Sequence, residues 1–178
     1  DGFPSKLQGT IVFCNADNIN TDGIYPGKYT YKDELSAEEM GNVAMENYDV
    51  EFASKCKAGD ILVAGLNFGT GSSREQAATC LKSKGIPIVL AGSVGVTYQR
   101  NAFNNGFMAI EAPGLLHFLR SKYGQDQPTL RTDLHLEVDF ARWVCIVQGQ
   151  EFAVSPVGQA AQELIVAGGL EPWVAANA

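Results

Sequence analysis

The sequence predicts an α/β fold: a mostly parallel central sheet with crossover helices, joined by antiparallel strands near the C-terminus. Three observations carry this. Short apolar runs at residues 60–66 (DILVAGL), 86–91 (IPIVLA) and 107–111 alternate with helix-length segments, the rhythm of β-α-β crossovers. A strand, a Gly-rich turn and a helix follow one another without a gap over residues 60–84. After Pro113 the rhythm changes, and residues 133–140 (DLHLEVDF) alternate strictly between apolar and polar, as in a strand with one solvated face.

In chain order, residues 1–8 (DGFPSKLQ) have the Pro, Gly and polar character of a linker, and the chain reads as a piece cut from something longer. Residues 9–14 (GTIVFC) are the first strand. The polar stretch 15–31 holds Asn, Asp, Gly and Pro at turn-forming density, and a loop of this length is usually functional or disordered. Ser36 with Glu39 is a capping-box signature at the head of SAEEMGNVAMENY, where Met40, Val43, Ala44 and Asn47 have helical spacing. A second short helix is expected near 49–55, and further helices at 74–84, 94–105 and 114–123. Residues 143–147 and 151–154 continue the antiparallel part, and 157–167 closes the chain as a helix.

A chain of 178 residues with 46% hydrophobic content can close one substantial core, which predicts a single domain. No apolar run approaches the roughly 18 residues of a membrane helix, so no membrane partner is expected. The net charge of −7 and the scattering of the 13 Lys and Arg argue against nucleic acid, while a small anion needs only one or two placed cations. Cys14, Cys56, Cys80 and Cys145 form no C-x-x-C pair, which fits neither a zinc site nor an iron-sulfur loop. They are expected to be buried free thiols, and no metal ligands are expected in this chain.

Two segments carry residue types suited to chemistry. In Gly69-Thr70-Gly71-Ser72-Ser73-Arg74, two glycines let the backbone approach a ligand, and the following helix offers unpaired N–H groups to an anion. The Walker A spacing is absent, and G-x-S-x-G is not satisfied. A structural turn with a serine capping the helix accounts for the same residues. The other segment, Asp17-Asn18-Ile19-Asn20-Thr21-Asp22-Gly23-Ile24-Tyr25-Pro26, follows the first strand; its carboxylates could position a catalytic partner, although any Asx-rich turn looks similar. His117 and His135 sit in segments that read as structural, Trp143 as core and Trp173 as tail-docking.

Taken together and in this order, the two segments resemble the swivel domain shared by aconitases, isopropylmalate isomerases and homoaconitases. The matching residues are Asp17 to Pro26, Asn67 to Glu75, Ser93, Arg100-Asn101 and Asn104-Asn105-Gly106. The resemblance is strong from Gly9 to Pro113 and weaker in the tail. Many members read G-S-S-R-E-H, whereas Gln76 follows Glu75 here, and G-S-S-R-E-Q-A-A-T resembles homoaconitases most. Aconitases typically have His where Gly23 stands and an Arg further along that has no counterpart here.

The resemblance implies a three-layer swivelling domain over residues 9–178 and a hydro-lyase that interconverts homoisocitrate and cis-homoaconitate in lysine biosynthesis by the α-aminoadipate route. Ser72 is then the base, acting as an alkoxide, and Asp22 partners an active-site histidine on the rest of the enzyme. Ser73 and Arg74 hold substrate carboxylates, a task for which a planar guanidinium is suited. Lys28 and Lys32 are candidates for reading the variable arm of the substrate. Arg100 and Asn101 brace the loops. A 4Fe-4S cluster belongs to the complete enzyme and is bound outside this chain, so the isolated domain is expected to be inactive. The partners implied are the cluster-bearing catalytic domains and a small tricarboxylate, in the mitochondrial matrix, or the cytoplasm if prokaryotic. Isopropylmalate isomerase and a non-catalytic small-anion-binding domain are the alternatives.

Overall fold

The computed structural model describes residues 2–30 and 35–178. Four parallel strands, β1 (Lys6–Cys14), β2 (Ile61–Ala64), β3 (Ile88–Ala91) and β4 (Met108–Glu111), are followed by β5 (Leu130–Asp139), β6 (Val144–Val147) and β7 (Gln150–Ala153). They form one sheet in the order β4-β3-β2-β1-β5-β6-β7, with β5, β6 and β7 paired antiparallel. This is the expected parallel core with antiparallel strands added. β1 begins at Lys6, three residues earlier than the predicted strand, and Lys6, Leu7 and Gln8 pair with Asp139, Val138 and Glu137.

The period of two along each strand divides the core. Val12, Cys14, Leu62, Ala64, Val89, Ala91 and Ala109 face one helical layer, whereas Ile11, Phe13, Ile61, Val63, Ile88, Leu90 and Ile110 face the other. The first layer holds α1 (Thr21–Ile24), α2 (Ala37–Val43), α3 (Phe52–Lys55), α4 (Gln76–Lys84) and α5 (Val96–Asn104). On the second, α6 (Pro113–Lys122) buries Leu115, Leu116 and Leu119. Helix, sheet and helix make the expected three layers. In β5, Leu134, Leu136 and Val138 are buried while Arg131, Asp133 and His135 are exposed, so the alternation reports a sheet solvated on one side.

Local chemistry sets several boundaries. The capping box of α2 forms as expected: Ser36 Oγ accepts the Glu39 N–H and Glu39 returns the bond to the Ser36 N–H. The helix nevertheless stops at Val43, because Met45 turns left-handed (φ 61°) and donates its N–H to Ile24 O at 2.7 Å. Asn47, expected on the helical face, therefore lies in the turn that follows. Two helices come from segments in which none was expected. Asn20 accepts the Gly23 N–H and caps α1 inside the polar stretch. α8 (Leu170–Asn177) follows α7 (Gln159–Ala167) through Gly168 and Gly169, with Pro172 in its first turn. Trp143 packs against Phe3 and Phe140, as expected of a core residue.

Candidate functional site

Cys14, Ala64 and Ala91 lie side by side in the register of β1, β2 and β3, so three loops leave the sheet at one level. This carboxyl edge is where open α/β sheets place their ligands. Here the loops are laced together. Between the first and second, the Asn18 N–H reaches Leu66 O (2.8 Å), the Gly69 N–H reaches Ile19 O (2.8 Å) and the Thr21 N–H reaches Thr70 O (2.9 Å). The second is tied to the third through the Asn67 N–H, which donates to Ser93 Oγ at 2.7 Å, and the Phe68 N–H, which donates to Ser93 O at 3.0 Å. Asn101 on α5 donates its amide to Ser73 O at 2.6 Å, the bracing expected of it. Arg100 is exposed and makes no hydrogen bond or ion pair among the described residues, so the bracing expected of it is absent.

Gly69 and Gly71 are both left-handed (φ 80° and 112°). Gly69 also meets a packing requirement, since a Cβ there would meet Tyr98 Cγ at 2.3 Å. α4 starts at Gln76, two residues later than expected, and no side chain caps it. Ser72 and Ser73 are thus not helix caps. Ser72 Oγ lies 3.1 Å from Thr21 Oγ1, which also accepts the Ser72 N–H at 3.2 Å. Either hydroxyl can donate in the Thr21–Ser72 contact, and with Thr21 as donor the bond favours negative charge on Ser72 Oγ. The Ser73 hydroxyl and the N–H groups of Ser73 and Arg74 have no partner among the described residues, and Ser73 is exposed. Thr21, only 3% exposed, was not singled out from sequence, because its partner is 51 residues away.

Arg74 and Asp22 are brought together. The guanidinium donates from Nη1 to Tyr25 O at 2.7 Å and stands 3.5 Å from Asp22 Oδ1, leaving Nε and Nη2 without partners among the described residues. The Asp22 side chain is 57% exposed, yet both of its oxygens are bonded: Oδ1 accepts the Gly27 N–H at 2.8 Å and Oδ2 the Asn47 amide at 3.1 Å. The Gly27 N–H, then Asn47 and Arg74, hold its carboxyl below the usual aspartate range, so it is ionised at neutral pH. Lys28, on a 3-10 turn at Gly27–Tyr29, pairs with Glu46 at 3.4 Å and covers the Tyr29 ring. No hydrogen bond or ion pair joins it to Asp22, Ser72, Ser73 or Arg74 among the described residues. Lys32 lies outside the described residues.

The four thiols are free and buried, as expected. Burial pushes Cys56 and Cys145 up to about 12, and Cys14 and Cys80 further still, so none offers a thiolate near neutral pH. Among the described residues no three His, Cys, Asp or Glu side chains converge on a point that could hold a metal, and the four separate, buried thiols do not fit an iron-sulfur cluster.

A family model described as the aconitase C-terminal domain matches residues 1–114. The chain belongs to the aconitase C-terminal domain family. The mitochondrial homoaconitase of Chaetomium globosum is 54% identical over 179 residues, 97% of this chain and 22% of that protein. That of Candida albicans is 49% identical over 180 residues, covering 97% and 26%. The chain thus spans about a quarter of the length of the curated family members it matches. Among solved structures, the 3-isopropylmalate dehydratase of Methanocaldococcus jannaschii superposes with a TM-score of 0.81 at 28% identity, over 97% of this chain and 95% of that one. The family's fold therefore persists where three residues in four have changed.

Proposed function

We propose that this chain is the substrate-binding domain of a 4Fe-4S hydro-lyase that interconverts homoisocitrate and cis-homoaconitate, the cluster being carried by catalytic domains outside it. The single observation that carries the reading is the pairing of Ser72 with Thr21 beside Arg74 and the free N–H groups of Ser73 and Arg74. Dehydration of a hydroxy-polycarboxylate needs a base for a carbon-bound proton next to a carboxylate, and a serine serves only if its alkoxide is stabilised. Thr21, which can donate to an ionised Ser72 Oγ, and the neighbouring N–H groups would supply that stabilisation. Ser73 and the unpaired face of Arg74 hold the substrate carboxylates, in keeping with the open donors there. Asp22, rigid and ionised, orients a histidine brought by the catalytic domains. Lys28 and Lys32 read the distal arm, a cation favouring a further carboxylate over an isopropyl group. The mitochondrial relatives support a setting in the matrix.

The 3-isopropylmalate dehydratase structure favours a second reading, in which the same scaffold serves an isopropylmalate isomerase. Turnover separates the two. With cluster-bearing domains supplied under anaerobic conditions, homoisocitrate should be dehydrated and isopropylmalate and citrate should not; turnover of isopropylmalate in preference would overturn the substrate assignment and keep the fold. The isolated chain should turn over none of them.

A further inference from the structure

We propose that Asn47 is a positioning residue for the reaction, holding Asp22 in one orientation from the turn between α2 and α3. The inference rests on the proposed role of Asp22. Both hydrogens of the Asn47 amide go to the same residue: Nδ2 donates to Asp22 O and to Asp22 Oδ2, each at 3.1 Å. Both partners are acceptors only, so the nitrogen and not the oxygen of the amide faces Asp22. One side chain thereby fixes the backbone and the carboxylate together.

Stability does not call for this clamp. A carboxylate that is 57% exposed is satisfied by water at no cost, yet this one also receives the Gly27 N–H and stands beside Arg74. Three donors around a solvent-facing group restrict its orientation, which matters when a partner must be met in one geometry. The Gly27 N–H and Arg74 approach Oδ1, and among the described residues only Asn47 holds Oδ2. The Asp22 side chain nevertheless remains 57% exposed, as a group that meets a residue of another domain must be.

The turn is itself rigidly placed. Met45, fully buried, donates its N–H to Ile24 O at 2.7 Å, and Tyr48 donates its hydroxyl to Pro128 O at 2.5 Å, so Asn47 lies between two anchors. Its neighbour Glu46 receives Lys28 and the Tyr29 hydroxyl. Two adjacent side chains of one turn thus hold the beginning and the end of the segment that carries Asp22 and Lys28.

The test uses the enzyme assembled with its cluster-bearing domains and a mutant cycle of Asp22→Asn, Asn47→Leu and the double variant, with kcat and KM for homoisocitrate and the melting temperature of each. Asn47→Leu should lower kcat about 10- to 100-fold, leave KM within about twofold and leave the melting temperature unchanged. Asn47→Gln, which keeps the donor, should recover part of the loss. In the double variant Asn47→Leu should add nothing to Asp22→Asn, because the amide acts through the carboxylate. Full activity in Asn47→Leu beside an impaired Asp22→Asn would overturn the inference alone, as would additive losses. Full activity in Asp22→Asn would overturn the reading of Asp22, and the inference with it.

Discussion

Two aspartates at opposite edges of the sheet show how differently one residue type can be used. Asp60, just ahead of β2, has a side chain only 4% exposed and accepts a fork of two hydrogen bonds from Arg131, Nε to Oδ2 at 2.8 Å and Nη2 to Oδ1 at 2.9 Å. It also takes the Lys57 N–H at 2.8 Å, which closes the turn into the strand. Asp22, beyond the carboxyl end of β1, is likewise bonded but 57% exposed. Where a carboxylate is sealed in, its bonds offset desolvation and belong to the fold. Where it is held and left open, its bonds cannot be put down to desolvation, in keeping with the proposed role of Asp22 in meeting a partner. On that proposal the carboxyl end of the sheet is the functional one, and Asp60 at the amino end belongs to the fold.

That contrast can be broken or sharpened by substitution. Asp22→Asn should lower kcat of the assembled enzyme by about 100-fold with little change in urea stability, as for the loss of an oriented charge at a reacting group. Asp60→Ala should do the reverse, removing about 3 kcal/mol of unfolding free energy while the folded fraction keeps its kcat. A catalytic defect in Asp60→Ala at full folding would erase the distinction between the edges. Arg74→Lys replaces a fork by a point charge, and KM should rise about tenfold with a smaller change in kcat. Lys28→Met should have the smallest effect, about threefold in KM, because Glu46 already shares the ammonium and the side chain is 65% exposed.

Much of the fold was legible because its signals are local. The alternation of residues 133–140, the runs in β2, β3 and β4 and the Ser36–Glu39 capping box each decide structure within a few residues, and all appear where expected. The end of α2 was not legible, since it is set by a bond from Met45 to Ile24, 21 positions away. α8 was passed over although Gly169 and Pro172 are start signals, because the apolar face of its sequence is short. In the site, Ser72, Arg74 and Asp22 stood out by residue type and by resemblance. Thr21 and Asn47 did not, because their importance comes from neighbours 51 and 25 residues distant. Gly69 was noticed for its place in the turn, and its packing need, room for Tyr98, could not be read from sequence.

Ser72, proposed as the base at the carboxyl end of the sheet, is best probed by kcat of Ser72→Ala for homoisocitrate in the assembled enzyme, with the melting temperature measured alongside. A serine base requires a loss of about 10²–10⁴-fold in kcat at an unchanged melting temperature. Near-full activity at an unchanged melting temperature would contradict it and leave the Gly69–Arg74 turn as scaffold.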